Sequence, residues 1–138
     1  MTGLRRLGIG AAGSLLLLGL SGCKDSGTTG PDESPSNIIF PATDVSYAAH
    51  VQPLFNQTCA LSGCHDDGPR PNPLSLTSYE NLMFNSLQVV VRGKPDKSVL
   101  ILRVDGRIAP RMPLSRNPLN QNQINGLRTW IAEGALNN

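Results

Sequence analysis

The chain has 138 residues, with twelve basic and ten acidic side chains and few aromatics. That length suits one small domain with extensions. The near balance of charge implies no basic face, so nucleic acid is not expected as a partner.

The first residues read as an export signal. Arg5 and Arg6 form a basic start, and Leu7 to Leu20 form an apolar run. The run is too short for an ordinary membrane span and has the length of a signal peptide. "LSGC", Leu20 to Cys23, resembles the lipobox of bacterial lipoproteins, in which the cysteine is lipidated and becomes the new N-terminus. The residues around the arginine pair fit twin-arginine export poorly, so the general secretory route is expected. Residues 1–22 are therefore assigned to a lipoprotein signal peptide. Loss of Arg5 and Arg6 leaves ten basic and ten acidic residues. The mature chain is expected in the cell envelope, lipid-anchored to a membrane, where thiols can be oxidised. Lys24 stands where an aspartate would favour the inner membrane, which tilts the expectation towards the outer membrane or cell surface.

Residues 23–43 are rich in Ser, Gly, Thr, Pro and Asp, and read as a lipidated flexible tether. "NIIF" within it is expected to dock on the domain that follows, residues 44–138. That domain is small enough to gain from a staple or a large apolar cofactor. Ser46 caps a first helix, "YAAHVQPLFNQT", with Val51, Leu54 and Phe55 on one face and Pro53 bending it. Thr77 and Glu80 stand at capping-box spacing for a short second helix. Asp96 is the expected cap, and Gly106 the stop, of a third helix; a strand over "VLILRV" is the competing reading. Asn120 and Gln123 pair at the start of a fourth helix ending near Gly134, with Ile124, Leu127, Trp130 and Ile131 on its apolar face. "RIAPRMPLSRNPL" between the last two helices is a long proline-punctuated loop, and such loops are often functional. The fold class is all-α.

The chemistry concentrates in "CALSGCH", Cys59 to His65. Three readings stand. A disulfide is the default for two cysteines in an oxidising compartment, but it leaves His65 unused. A zinc site would need His50 or an aspartate as well, and adjacent Cys and His rarely face one tetrahedral centre. Covalent haem uses all three residues: Cys59 and Cys64 as thioether tethers and His65 as axial imidazole. The usual attachment motif has two residues between the cysteines. This one has four, so two must loop out, and Ser62 and Gly63 suit a loop.

A sixth iron ligand could come from Met112, held between Pro110 and Pro113. His50 is the alternative and would give bis-histidine iron. Met83 is expected in the core. Arg92, Arg103 and Arg111 are candidates to face haem propionates or to be solvated charges. Pro71 and Pro73 suit a rigid segment whose carbonyls orient the proximal imidazole. Asp66 and Asp67 read as exposed turn residues rather than an acid–base pair.

"VQPLFNQTCALSGCH", "LSLTSYENLM", "GKPDKSVLILRV", "PRMPL" and "GLRTWIAEGA", in that order, resemble the single-haem c-type cytochrome domain, class I-like, of environmental bacterial lipoproteins and planctomycete-type cytochromes. The resemblance spans Val45 to Ala135. It implies a small all-α fold whose first and last helices cross around one haem c, with Phe55 and Trp130 near the crossing and Gly126 allowing close approach. It also implies Cys59 and Cys64 as covalent attachments, with His65 and Met112 as the axial ligands. The expected function is one-electron transfer between redox donor and acceptor proteins, not enzymatic turnover, with association to an oxidoreductase complex left open. The rival functions are a disulfide-stapled surface adaptor and a haem domain reactive towards gases or peroxide.

Overall fold

The computed structural model describes residues 36–69 and 73–138. The signal segment, the lipidation at Cys23, Lys24, the first part of the tether and Pro71 lie outside the described residues. Among the described residues the chain is helical and has no strand, and no helix is long and apolar enough to cross a membrane.

Ser46 opens the first helical segment as expected, its hydroxyl accepting the Ala49 N–H at 3.1 Å. The segment is not one regular helix. A π-turn over Tyr47–Val51 runs into α1, Gln52–Thr58. Proline has no N–H and its ring crowds the carbonyl four residues back, here Ala49. The wider π-turn accommodates Pro53 at the start of α1 instead of a sharp break. A second partner at this end is not legible in the sequence. Asn138 accepts the Tyr47 N–H through Oδ1 at 2.8 Å, and its main-chain oxygen accepts from Ala48 N at 2.9 Å and Ser46 Oγ at 2.8 Å. The two ends of the folded region are thereby joined.

The second helix, α2, covers Tyr79–Met83. Its cap is Ser78, one residue later than expected, with the hydroxyl accepting from Asn81 N at 3.1 Å. Thr77 is diverted: its hydroxyl donates to Asp67 at 2.8 Å. "VLILRV" is helical, forming α3, Val99–Val104, preceded by a 3₁₀ turn over Pro95–Lys97. Asp96 lies in that turn and does not cap α3. Its carboxylate takes Arg128 at 2.8 Å and Arg107 at 3.1 Å, which hold it below the usual carboxylate range. Gly106 follows α3 with φ +83°, a backbone region that glycine enters without strain. The last helix, α4, Gln121–Ala132, starts with the expected reciprocal capping box of Asn120 and Gln123.

The apolar faces meet in one core containing Leu54, Phe55, Leu82, Ile101, Leu127, Trp130 and Ile131. Full burial of a large aliphatic or aromatic side chain contributes about 1.5–3 kcal/mol. Met83 packs on its edge. Trp130 and Phe55 are both in this core, and the aromatic neighbour of Trp130 is Tyr47, at 5.6 Å between ring centroids.

Gly126 does permit a close approach, but by a residue upstream of the first helix. A Cβ on Gly126 would lie 2.1 Å from Phe40 Cγ. Phe40 is buried, and its main chain exchanges two hydrogen bonds with the Asn122 amide, at 2.8 and 3.0 Å. Gln123 Nε2 reaches Ser36, and Glu133 takes the N–H groups of Asp44 and Val45. "NIIF" therefore docks as expected, through Phe40 on the first half of α4, while Ile39 points outward and Asp44 and Val45 reach Glu133 at the end of α4. Beyond the C-terminal end of α4, the Arg92 guanidinium donates to the carbonyls of Gly134 and Ala135, while the Gly93 N–H reaches the Ile131 carbonyl at 2.8 Å.

Candidate functional site

α1 delivers Cys59 to the edge of the core. Cys59 N and Ala60 N both return to the Phe55 carbonyl at 2.8 Å, which ends the helix. Cys59 is buried, its sulfur 3.1 Å from the Thr58 hydroxyl. Burial pushes its thiol up to about 11. Cys64 is exposed, and both cysteines are free thiols.

The four-residue spacer is an ordered turn. Cys64 N donates to the Leu61 carbonyl at 2.9 Å, closing a β-turn over residues 61–64. Gly63 sits third in that turn with φ +76°, the position and sign that a type II turn demands. His65 N then donates back to the Cys59 carbonyl at 3.1 Å. The loop is closed on itself, and the expectation that Ser62 and Gly63 loop out agrees with this geometry.

His65 is half-buried and held twice. Its main-chain oxygen accepts the Leu76 N–H at 2.8 Å. Its ring Nδ1 lies 3.1 Å from the Leu74 carbonyl oxygen. A carbonyl can only accept, so Nδ1 carries a proton, and in the neutral ring Nε2 keeps its lone pair. The acceptor is the residue after Pro73, in the segment the sequence points to.

Met112 packs against the same core that contains Cys59. Its loop is tied back onto α3. Met112 N donates to the Arg103 carbonyl at 3.0 Å, the Arg103 guanidinium to the Pro110 carbonyl at 3.2 Å, and Arg111 Nε to the Val104 carbonyl at 3.3 Å. Arg103 and Arg111 thus brace the methionine loop, and Arg92 binds beyond the end of α4; all three spend donors on main-chain carbonyls. Arg116, which no local signal in the sequence singles out, lies in the same loop as Met112. Its charge reaches Cys59 and partly opposes the upward push of burial.

His50 accepts the Ser46 N–H through Nδ1 at 3.1 Å and lies beside the Phe40 ring, 5.8 Å between centroids. It serves the start of the first helical segment. Among the described residues no three His, Cys, Asp or Glu side chains converge as a metal-ligand set. Surface clefts occur among the described residues. One lies between Phe40–Ala42 and α4, another between Asp67, Ser75 and the α2 region. Cys59, Cys64, His65 and Met112 line neither.

Asp67 is exposed, as expected, and its carboxylate accepts from Ser75 Oγ at 2.7 Å and from Thr77 Oγ1 at 2.8 Å. Asp66, expected to be exposed as well, is half-buried. Asp66 has its Oδ1 buried without a hydrogen-bond partner.

No protein-family model, curated protein or solved structure matches this chain.

Proposed function

We propose that this chain is a lipid-anchored monohaem c-type cytochrome that carries single electrons outside the cytoplasm. The observation that carries the reading is the hydrogen bond from His65 Nδ1 to the Leu74 carbonyl, directly after the two-cysteine loop. It leaves the imidazole in the tautomer a metal needs, with Nε2 available and the ring orientation fixed. The donor set fits haem c: two free thiols, this imidazole, and a thioether at the edge of the same core.

In this reading Cys59 and Cys64 would hold the porphyrin through thioether bonds, and His65 and Met112 would bind its iron. Bound there, haem iron supplies a one-electron ferric–ferrous couple. The chain's own residues set the conditions. The turn at Gly63 fixes the separation of the two thiols, Leu74 orients His65, and the bonds from α3 present Met112 at low entropic cost. The donor and acceptor are redox proteins met in brief, small-area encounters near the membrane, and docking on a larger oxidoreductase complex is compatible with the same chemistry. The chain's role is electron carriage, not substrate turnover.

The deciding experiment is export in a host with a haem-attachment system, followed by intact mass and a pyridine haemochrome spectrum. One covalent haem, with attachment altered in Cys64→Ala, is the expected result. A mass two hydrogens below the reduced chain with no haem band would identify a Cys59–Cys64 disulfide, and the proposal would be withdrawn.

A further inference from the structure

We infer that Asp67 is a positioning residue for His65, acting through Ser75; its relevance to haem rests on the function proposed above. The chain of contacts is short and closed. Ser75 is buried, and it stands between the two residues that hold His65: Leu74, which accepts from the ring, and Leu76, which donates to the His65 carbonyl. The Ser75 hydroxyl donates to Asp67 Oδ1 at 2.7 Å, and Asp67 is two residues beyond His65 in the chain. Asp67 Oδ2 takes the Thr77 hydroxyl, and the Asn81 amide lies within 3.3 Å of Asp67, Ser75 and Thr77. One carboxylate therefore ties the stretch of chain on one side of the imidazole to the stretch that carries its hydrogen-bond acceptor. Hydrogen bonds to an ionised acceptor are shorter and about twice as strong as neutral ones. With the carboxylate removed, residues 74–76 lose their tie to 67, and the Leu74 carbonyl loses the constraint that aims it at Nδ1.

The test reads solvent exchange of the His65 Nδ1 proton by NMR, on the full mature chain exported with a haem-attachment system and reduced. Asp67→Ala is expected to exchange about tenfold faster than the parent, the change expected when a hydrogen bond to a charged group is lost. Ser75→Ala is expected to follow it. Asp67→Asn, whose amide oxygen still accepts one hydroxyl but carries no charge, is expected to fall between the parent and Asp67→Ala. Phe40→Leu, which loosens the core at α4 far from this network, serves as control and should leave the rate unchanged. Unchanged exchange in folded Asp67→Ala and Ser75→Ala overturns the inference, and so does equal acceleration in Phe40→Leu, which would mean general loosening. Should Asp67→Ala not fold, Ser75→Ala decides. If the parent carries no haem, the proposed function fails by itself, and the same exchange comparison on the haem-free chain still decides the role of Asp67.

Discussion

Gly126 on α4 faces Phe40 so closely that any side chain there would occupy the space of the ring: an added Cβ falls 2.1 Å from Phe40 Cγ and 2.2 Å from Cδ1. Gly126→Ala gains about 1 kcal/mol in helix preference. It also forces Phe40 out of its site, and losing a buried phenylalanine costs about 3–5 kcal/mol. A net loss of about 2–4 kcal/mol is expected from these two opposing effects in urea melts. In a Phe40→Gly background the close contacts with Phe40 Cγ, Cδ1 and Cβ are all gone, so the same glycine change should cost far less than in the parent. Additive losses in the double variant would show that the two residues do not meet.

Met112 supplies the second test. Its side chain is only partly buried, so Met112→Ala should cost about 1 kcal/mol in stability, below the range for fully buried methionine. In the haem-bound form proposed above, the effect on the redox centre should be far larger. Loss of the thioether is expected to lower the midpoint potential and remove the charge-transfer band of methionine-ligated ferric haem, with Met112→His also lowering the potential. His50→Ala should leave both unchanged, since His50 is occupied with Ser46. The opposite pattern, a change in His50→Ala alone, would reassign the sixth ligand.

Gly63 tests the spacer. Its φ of +76° suits glycine, and nothing lies within 4 Å of an added Cβ. A substitution there therefore measures backbone strain without a clash. Gly63→Val should cost at least about 1–2 kcal/mol, the penalty of a left-handed residue with a side chain. The turn holding Cys64 would open, and covalent haem yield should fall while Ser62→Ala attaches normally. Equal yields in both variants would mean that the turn plays no part in placing the thiols.

Much of this arrangement is legible in the residues themselves. Local signals carry well: Ser46, Asn120 and Gln123 cap where their side chains dictate, because a cap depends on atoms within one turn. The loop at Gly63 and the carbonyl behind His65 are also local, set by glycine and by the neighbouring prolines. Contacts between distant parts of the chain are the ones that escape. Nothing near Asn138 announces that it caps a helix some ninety residues earlier in the chain. Thr77 and Glu80 have capping-box spacing, yet Asp67 attracts the Thr77 hydroxyl and Ser78 takes over. Asp96 has the right neighbours for a cap but finds two arginines in space. The resemblance to c-type cytochromes points to Gly126 as a close approach between helices, whereas its actual partner, Phe40, is not legible. Periodicity shows which face is buried, not which segment lies on it.

The two cysteines should differ sharply in reactivity when the chain is made without haem attachment. Cys59 is buried and its thiol is pushed up to about 11, whereas Cys64 is exposed. Since the thiolate is the reactive form, alkylation at pH 8 followed by peptide mapping should label Cys64 first and Cys59 only on unfolding. The raised thiol also makes stability depend on pH. Below the ordinary thiol value of 9.0 both folded and unfolded chains keep the proton, and the contribution is fully present. Between 9.0 and about 11 the unfolded chain releases a proton that the folded chain retains, so stability falls as pH rises. The loss across this window should reach roughly 2–3 kcal/mol, since each tenfold change in proton affinity is worth about 1.36 kcal/mol. Cys59→Ser would titrate outside this range, so its urea midpoint should lose that part of the slope. A parent and a Cys59→Ser variant with parallel pH profiles from 9 to 11 would show that Cys59 is not the buried thiol of the folded chain.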